Sequence, residues 1–383
     1  MKSNFEFLNR YWPALAQIGA AAESYVYSDA NACLYKLGMF GERLILEIFA
    51  FEHINEPAID NTHSNRIRLL KREGLIPKKI DDILYALRKT RNDAVHAGAD
   101  SVEDAKTLLS MTYNLAVWFM EVYGDWGFIA PEFVMPEDVV QPDYAAIIKA
   151  QEDQIAELSK EVATVSPAAS TKTAKERADK AETASESMEL SEAETRYLID
   201  EQLRKYGWEA DTNNLRYSKG TRPQKGRNLA IAEWPTDSVV SKNGYADYAL
   251  FIGLKLVAVV EAKKAAIDIP SVIDHQCKEY AKGIKSEHNE YIIRHWGGYK
   301  VPFVFATNGR KYLKQIETKS GIWYLDLRNG ANAPKALQGW ISPQGLMEQL
   351  EKDIDGDAFL LYNLTLRNAV KKRCVSIWRT IVS

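Results

Sequence analysis

Hydrophobic residues in the first third of the chain recur at spacings of three and four, which is typical of helices that bury one face. The first series is Phe5, Leu8, Tyr11, Trp12, Leu15 and Ile18. The same pattern predicts four further helices, from Ser28 or Asp29 to Phe51, Ser64 to Arg72, Pro77 or Lys78 to Val95, and Val102 to Tyr123. Because the connections are short, residues 1–130 are predicted to form an antiparallel helical bundle.

The hydrophobic pattern weakens between residues 131 and 190. Residues 144–162 keep aliphatic side chains at helical spacing and are compatible with a short coiled-coil-like helix. The next stretch, VSPAASTKTAKERADKAETASESMEL, contains almost no large apolar residue. Such a composition buries too little surface to offset the entropy lost on ordering. We therefore predict a helical or disordered linker over residues 131–190.

Strand patterns dominate the part that follows. Tyr245–Phe251 and Lys255–Lys263 are rich in β-branched and aromatic residues, and Gly253 between them indicates a turn. Two later runs, VPFVFAT and IWYL, predict a neighbouring pair of buried strands. Residues 191–345 are therefore predicted to form a mixed sheet flanked by helices, which makes the whole chain α + α/β. Residues 346–383 are left as a C-terminal segment.

Charged residues interrupt the second of these strands. Side chains alternate along a strand, so Glu261 and Lys263 are expected on one face, and a hairpin register would bring Asp247 beside Glu261. Burying such charges is costly without a partner or a metal. Two converging carboxylates suit Mg²⁺, and Lys263 would stabilise developing charge or orient a water molecule. An ordinary ion pair at a strand end is the alternative interpretation.

Composition restricts how the chain could bind nucleic acid. With 46% hydrophobic and 26% charged residues and a net charge of −3, it is not a general polycation. The acid-free run RYSKGTRPQKGR is the exception, and it makes Arg216, Lys219, Arg222, Lys225 and Arg227 candidates for contact with a DNA backbone. A solvated loop is the alternative. Three scattered cysteines and the lack of a long apolar run predict a cytoplasmic protein without membrane contact.

The spacing of Asp247, Glu261 and Lys263 resembles that of the PD-(D/E)xK nucleases, with Ala246 at the proline position. Gln276 and Tyr280 lie four residues apart on the next predicted helix and resemble the QxxxY motif of the RecB-like branch. The resemblance implies Mg²⁺-dependent hydrolysis of DNA, with this pair near the metal site and the DNA strand.

In this family the first helix often supplies a further metal ligand. The resemblance makes Glu194, or alternatively Glu201, a candidate for that position. Ser191 followed by Glu194 is also a helix-capping box, which is the alternative role for this carboxylate.

Together with ETRYLIDEQLRKYGW and FATNG, these motifs resemble the N-terminal part of a type I restriction endonuclease R subunit over residues 190–330. The resemblance implies double-stranded DNA as substrate and methyltransferase (M) and specificity (S) subunits as partners. Such R subunits continue into ATP-hydrolysing motor domains. The sequence contains no G-x-x-x-x-G-K-[ST] motif, so ATP is expected as a cofactor only of a full-length subunit with its motor domains. Residues 346–383 would lead towards those motor domains.

The bundle carries a second motif. Arg91 and Asn92 followed by His96 match the RNxxxH pattern of HEPN domains, so residues 1–130 resemble a HEPN-like or DUF4145-type helical domain. Active HEPN domains are metal-independent RNases that use the histidine as a base and the arginine to stabilise the transition state. Glu42 and Arg43 are candidate partners of this site. The alternative is that Arg91 and His96 only place positive charge near a helix C-terminus.

The sequence as a whole therefore predicts the DNA endonuclease module of a type I restriction subunit. A HEPN-type RNase and a non-catalytic docking fragment of a restriction complex are the alternatives.

Overall fold

The computed structural model describes residues 3–54, 62–138, 171–239, 244–263, 269–308 and 321–352. The coiled-coil-like helix predicted at 144–162 and the residues from 353 onwards lie outside this range. The chain divides into two compact units. The first contains Met1–Glu201, Ala262–Ile269 and Thr307–Ile322, and the second contains Gln202–Glu261, Pro270–Ala306 and Trp323–Ser383. The domain boundaries expected near residues 130, 190 and 345 stay predictions.

Amphipathic helices build the first unit. They are α1 (Pro13–Tyr25), α2 (Ala30–Phe51), α3 (His63–Arg72), α4 (Lys78–Ala97) and α5 (Val102–Phe119), with a 3₁₀ turn at Glu6–Arg10 and a π-helical turn at Met120–Gly124. The hydrophobic spacing predicted α2 to α5, whereas the first predicted series, from Phe5 to Ile18, is divided between the 3₁₀ turn and α1. Asp29 caps α2 as expected, because its carboxylate accepts a hydrogen bond from the amide of Ala32 at 2.9 Å.

The core of this unit lies along α2, whose inward side chains pack against α1, α4 and α5. Phe5 is fully buried and its ring lies 5.4 Å from that of Phe40 on α2. The apolar stripes that the sequence shows are therefore the surfaces that the bundle removes from water.

The polar segment predicted as a linker contains a packed helix, α6 (Ala174–Ser187). Arg177 is buried and its guanidinium binds both carboxylate oxygens of Glu52, at 2.5 and 2.7 Å. Trp118 donates a hydrogen bond to the carbonyl of Ala181 at 3.0 Å. The expectation that this stretch could not bury enough surface is wrong for α6. Small alanines and a buried ion pair attach it to the bundle, and a search for large apolar residues does not detect such contacts.

A seven-stranded mixed sheet with strands in chain order forms the centre of the second half. Its strands are β1 (Glu209–Ala210), β2 (Asn228–Pro235), β3 (Tyr245–Ile252), β4 (Lys255–Ala262), β5 (Phe303–Thr307), β6 (Ile322–Asp326) and β7 (Lys335–Leu337). The accompanying helices are α7 (Glu192–Lys205), α9 (Pro343–Lys352) and a continuous helix α8, made of Ile269–Val272, the π-helical turn Ile273–Cys277 and Lys278–Lys282. The α + α/β class predicted from the sequence is confirmed.

The sheet combines parallel and antiparallel pairs of strands. β1 is parallel to β2, whereas β2–β3 and β3–β4 are antiparallel. The β3–β4 hairpin turns at Gly253, as the sequence predicted. The φ of Gly253 is 59°, a value that residues with a side chain disfavour. β5 and β6 are neighbours, also as predicted, whereas the buried strand β2 was not anticipated. None of the helices described has the length and apolarity needed to cross a membrane.

Replacing Arg177 with alanine should destabilise the first unit by about 3 kcal/mol, because Glu52 would be left buried without its partner. Chemical denaturation followed by circular dichroism measures this loss. Lys175→Ala on the exposed side of the same helix is the matched control and should change stability by less than about 0.5 kcal/mol. Equal effects of the two substitutions would contradict the docking role of Arg177.

Candidate functional site

Asp247 and Glu261 lie on neighbouring antiparallel strands near the middle of the sheet. Tyr248 on β3 pairs with Val260 on β4, and one further step along each strand leads to Asp247 and Glu261. Cross-strand partners point to the same face, so this register directs both carboxyl groups to one side of the sheet. Asp247 is 7% exposed and Glu261 is 2% exposed. Two acids are thus held out of water at the end of an apolar hairpin.

The helix that follows β4 supplies hydrogen bonds to Glu261. The amide nitrogen of Gln276 donates to Glu261 Oε1 at 2.7 Å and to the hydroxyl oxygen of Tyr280 at 2.6 Å. Gln276 lies in the π-helical turn of α8, a distortion that is frequent at functional sites. The structure therefore joins three of the residues singled out from the sequence, although their catalytic roles stay predictions.

The electrostatics of Tyr280 connect both acids to the same phenol. Burial is the largest influence and raises the pKa of Tyr280, and the negative charges of Glu261 and Asp247 raise it further. The hydrogen bond from Gln276 opposes this rise in pKa. Because the phenol stays protonated, its O–H is available as a hydrogen-bond donor to the carboxylate of Glu261.

Lys263 directly follows the end of β4. Its backbone amide donates to the carbonyl of Thr307, the last residue of β5, at 2.7 Å. This bond fixes the backbone of Lys263, whose side chain is half-buried. Its role in chemistry stays a prediction.

Glu194 and Glu201 on α7 have partners of their own in the first unit. Glu194 accepts a hydrogen bond from the amide of Ser191 at 2.7 Å and one from Asn114 at 3.1 Å. Glu201 pairs with Lys89 at 3.3 Å. Glu194 therefore has the helix-capping role that was the alternative interpretation of the sequence, while its role as a metal ligand stays a prediction. Among the residues that the structure describes, no group of three or more histidine, cysteine, aspartate or glutamate side chains is arranged to hold a metal ion.

The basic loop at residues 216–227 contains two kinds of cation. Arg216 forms an ion pair with Glu233 at 3.2 Å, and Arg227 forms one with Glu209 at 2.6 Å. These two guanidinium groups are thus largely neutralised within the protein. Glu233 also has a positive φ of 53°.

The other three cations of the loop face solvent. Arg222 stacks on the ring of Tyr217, with its guanidinium carbon 3.8 Å from the ring centroid. Tyr217 in turn contacts the buried ring of Trp234, at a centroid distance of 5.1 Å. Arg222 is therefore held in place, whereas Lys219 and Lys225 extend as exposed side chains.

The residues of the HEPN-like motif differ in their exposure and in their partners. Arg91 pairs with Glu42 on α2 at 2.5 Å, as the sequence suggested, and its guanidinium lies 5.2 Å from the centre of the Tyr35 ring. Asn92 and His96 are exposed on α4. Arg91 and His96 are five residues apart, hence about 140° apart around the helix axis. Arg43, the other suggested partner, forms an ion pair with Glu47 at 2.5 Å.

His63, at the start of α3, is a buried residue that sequence reasoning missed. It is 9% exposed, and its Nδ1 atom has no hydrogen-bond partner among the described residues. Burial lowers the pKa of His63 to about 4. Glu42 opposes this shift, whereas Arg88, Arg66 and Arg91 add to it. The only sequence signal for His63 is its spacing of three residues from Arg66 on a basic helix.

Two family models match parts of the chain. A family model described as the second domain of the type I restriction enzyme EcoKI endonuclease subunit matches residues 209–350. A model of the domain of unknown function DUF4145 matches residues 20–160. Residues 209–350 are therefore similar to the second domain of that endonuclease subunit.

A curated relative supports the same class. The chain is similar to the type I restriction enzyme EcoKI endonuclease subunit of Escherichia coli strain K12, with 34% identity over 424 aligned residues. The alignment covers 91% of this chain and 36% of the relative, so the chain spans little more than a third of that protein. The predicted resemblance to the N-terminal part of such a subunit is confirmed. No solved structure matches the chain.

His63 should contribute to acid sensitivity. Its folded pKa, near 4, lies below its ordinary value of 6.5, so its contribution to stability is present above pH 6.5 and is lost as the pH falls towards 4. In that interval, wild-type protein should lose up to about 1.4 kcal/mol per pH unit more than His63→Gln. Urea denaturation of both proteins between pH 4 and 7 measures the difference. Identical pH slopes would contradict the buried neutral state of this imidazole.

Proposed function

We propose that this chain is the nuclease part of a type I restriction endonuclease subunit and that it hydrolyses phosphodiester bonds of double-stranded DNA. The observation that supports this most directly is the bonded set of Glu261, Gln276 and Tyr280, with Asp247 next in register to Glu261. The similarity to the EcoKI endonuclease subunit supports the same class of reaction. Because the chain spans 36% of that relative, the activity of the whole relative is carried over only as part of this proposal.

The donor chemistry of the two acids fits a divalent metal. Asp247 and Glu261 offer carboxylate oxygens, which Mg²⁺ prefers, and their low exposure favours a bound cation that compensates two buried negative charges. Mg²⁺ usually retains several waters and needs only one or two carboxylates, so a third acid is not required. When bound, Mg²⁺ would polarise a phosphate oxygen and lower the pKa of water.

The remaining residues would act around these carboxylates. Gln276 holds one oxygen of Glu261 through its hydrogen bond and thereby fixes the orientation of the carboxylate. Tyr280 stays protonated and supports the same group. Lys263 would stabilise negative charge that develops on the phosphate or orient the attacking water.

The exposed part of the basic loop is the proposed contact for DNA. Lys219, Arg222 and Lys225 are the cations that face solvent, and each can pair with a phosphate of the backbone. Arg216 and Arg227 are assigned a structural role instead, because both are paired with glutamates. This divides the five candidates from the sequence into three that would bind DNA and two that would support the loop.

The partners and the nucleotide requirement follow from the class. A type I endonuclease subunit would work with M and S subunits, and ATP would be used by motor domains of the full-length subunit. We propose the same assembly for this chain. The rival proposal, a HEPN-type RNase based on Arg91 and His96, is less favoured because the ion pair with Glu42 engages Arg91.

Glu261→Gln and Asp247→Asn should each weaken Mg²⁺ or Mn²⁺ binding at least tenfold, because each removes one of two metal-binding charges. Isothermal titration calorimetry with the bare metal measures this directly and does not depend on turnover. Cleavage of supercoiled plasmid by the wild type should be abolished by chelator and by either substitution. Gln276→Leu should also weaken metal binding, in line with the roughly 10- to 100-fold effect of lost outer hydrogen bonds.

Glu279→Gln provides the matched control, since it neutralises an exposed acid on the same helix α8. It should leave metal affinity unchanged. If wild type and Glu261→Gln bind metal equally, or if cleavage survives chelator, the proposed metal site is wrong. Cleavage of RNA that persists in chelator and is lost in Arg91→Ala and His96→Ala would instead support the rival RNase.

The double substitution of Lys219 and Lys225 by glutamine should weaken binding to a fluorescein-labelled DNA duplex. It should also reduce the slope of log affinity against log salt by about 2, since each lost phosphate contact contributes about 0.9. Fluorescence anisotropy over a salt series measures both values. Lys175→Gln, an exposed lysine of α6, is the control and should keep the slope. An unchanged slope in the double variant would remove the loop from the DNA interface.

A further inference from the structure

The basic loop begins on a well-bonded part of the second unit. The amide of Ala232 on β2 donates to the carbonyl of Leu215 at 2.8 Å, which joins the backbone just before the loop to the sheet. A 3₁₀ turn at Tyr217–Lys219 follows, and it ends at Gly220, whose φ is 83°. The amide of Gly220 donates to the carbonyl of Tyr217 at 3.0 Å. Hydrogen bonds therefore fix the backbone that carries Tyr217.

Two buried rings hold the side chain of Tyr217. The ring of Trp234, which is fully buried on β2, lies 5.1 Å from the Tyr217 ring between centroids, with 76° between the planes. The ring of His288, from the 3₁₀ turn Ser286–Tyr291, lies 5.4 Å away at 78°. Trp234 and His288 also contact each other, at a centroid distance of 4.7 Å. Such edge-to-face pairs favour one arrangement of the rings, so the orientation of the Tyr217 ring is restricted.

Arg222 covers a face of the Tyr217 ring. Its guanidinium carbon lies 3.8 Å from the ring centroid, and its Nη1 atom donates to the carbonyls of Tyr217 and Thr221, at 3.1 and 2.8 Å. Within the part of the chain that the structure describes, Nε and Nη2 of Arg222 have no hydrogen-bond partner, and the guanidinium has no ion pair with a carboxylate. One end of this planar group is thus fixed, while the edge formed by Nε and Nη2 is available to a ligand.

We propose that Tyr217 is a positioning residue for DNA binding, which holds Arg222 so that Nε and Nη2 bind two oxygens of one backbone phosphate. This inference rests on the proposed DNA contact of the basic loop. A guanidinium matches a phosphate through two parallel hydrogen bonds, whereas an ammonium group acts as a point charge. The contact with Tyr217 restricts the guanidinium before DNA arrives, so less side-chain entropy is lost on binding. Lys219 and Lys225 would add attraction without fixing the position of the strand.

The test measures the affinity of the full chain for a fluorescein-labelled DNA duplex by fluorescence anisotropy over a salt series, in the presence of chelator. Tyr217→Leu should weaken binding about three- to tenfold, because Arg222 loses the ring that restricts it. The slope of log affinity against log salt should stay nearly unchanged, because no charge is removed. Tyr217→Phe keeps the aromatic face and should restore affinity to within about twofold of the wild type. Tyr206→Leu, at a partly exposed tyrosine of the same unit, is the control and should bind like the wild type.

A double-mutant cycle separates positioning from a merely structural role. In the Arg222→Gln background, Tyr217→Leu should change affinity less than about twofold, because no guanidinium remains to be positioned. Arg222→Lys keeps the charge and should keep the salt slope, yet it should weaken binding about as much as Tyr217→Leu, since lysine lacks the planar pair of donors. This variant changes an exposed side chain only, so it tests the phosphate contact even if Tyr217→Leu fails to fold.

Three outcomes would overturn the proposal: wild-type affinity of folded Tyr217→Leu, an equal loss when Arg222 is already glutamine, or wild-type affinity of Arg222→Lys. If these variants bind normally while the double substitution of Lys219 and Lys225 weakens binding, the loop still contacts DNA and only the positioning role of Tyr217 is wrong. If the wild type binds no duplex, the proposed DNA contact of the loop fails as well. Because chelator is present throughout, none of these results depends on the proposed metal site.

Discussion

Two buried carboxylates at the end of an apolar hairpin are the constraint on which the site in the sheet depends. β3 and β4 are buried along almost their whole length, and Asp247 and Glu261 interrupt them at register-matched positions. Leaving such groups without compensation would cost several kcal/mol each. The hydrogen bond from Gln276 and the protonated phenol of Tyr280 offset part of this free energy. A divalent cation would stabilise the two carboxylates further, and it is therefore part of the proposed function.

Paired charges also determine how polar segments attach to the helical unit. α6 is rich in alanine, lysine and glutamate, yet it is ordered against the bundle because Arg177 and Glu52 neutralise each other there. Lys79 adds hydrogen bonds to the carbonyls of Ser185 and Met188, at 2.6 and 2.9 Å. Hydrogen bonds and an ion pair thus attach α6 to the bundle, whereas α2 is held by the burial of its apolar side chains.

Intramolecular partners divide the cations of this protein into those that build structure and those that remain available to ligands. Arg227 is held by Glu209, whereas Lys219 and Lys225 are exposed on the same loop. In the helical unit, Arg91 is likewise paired with Glu42. A chain with a net charge of −3 can therefore still present a local positive surface on the basic loop.

The sequence by itself determined the fold class, the five N-terminal helices and the hairpin that carries Asp247 and Glu261, because period and turn residues are local properties. It also indicated the Gln276–Tyr280 pair, since spacing on a helix fixes which residues share a face. Only the tertiary structure decided which charges are partnered. The roles of Arg216, Arg227 and Glu194, the packing of α6 and the surroundings of His63 all depend on residues distant in sequence. A hydrophobic pattern contains no information about such contacts, because long polar side chains select their partners only after the helices and strands have packed.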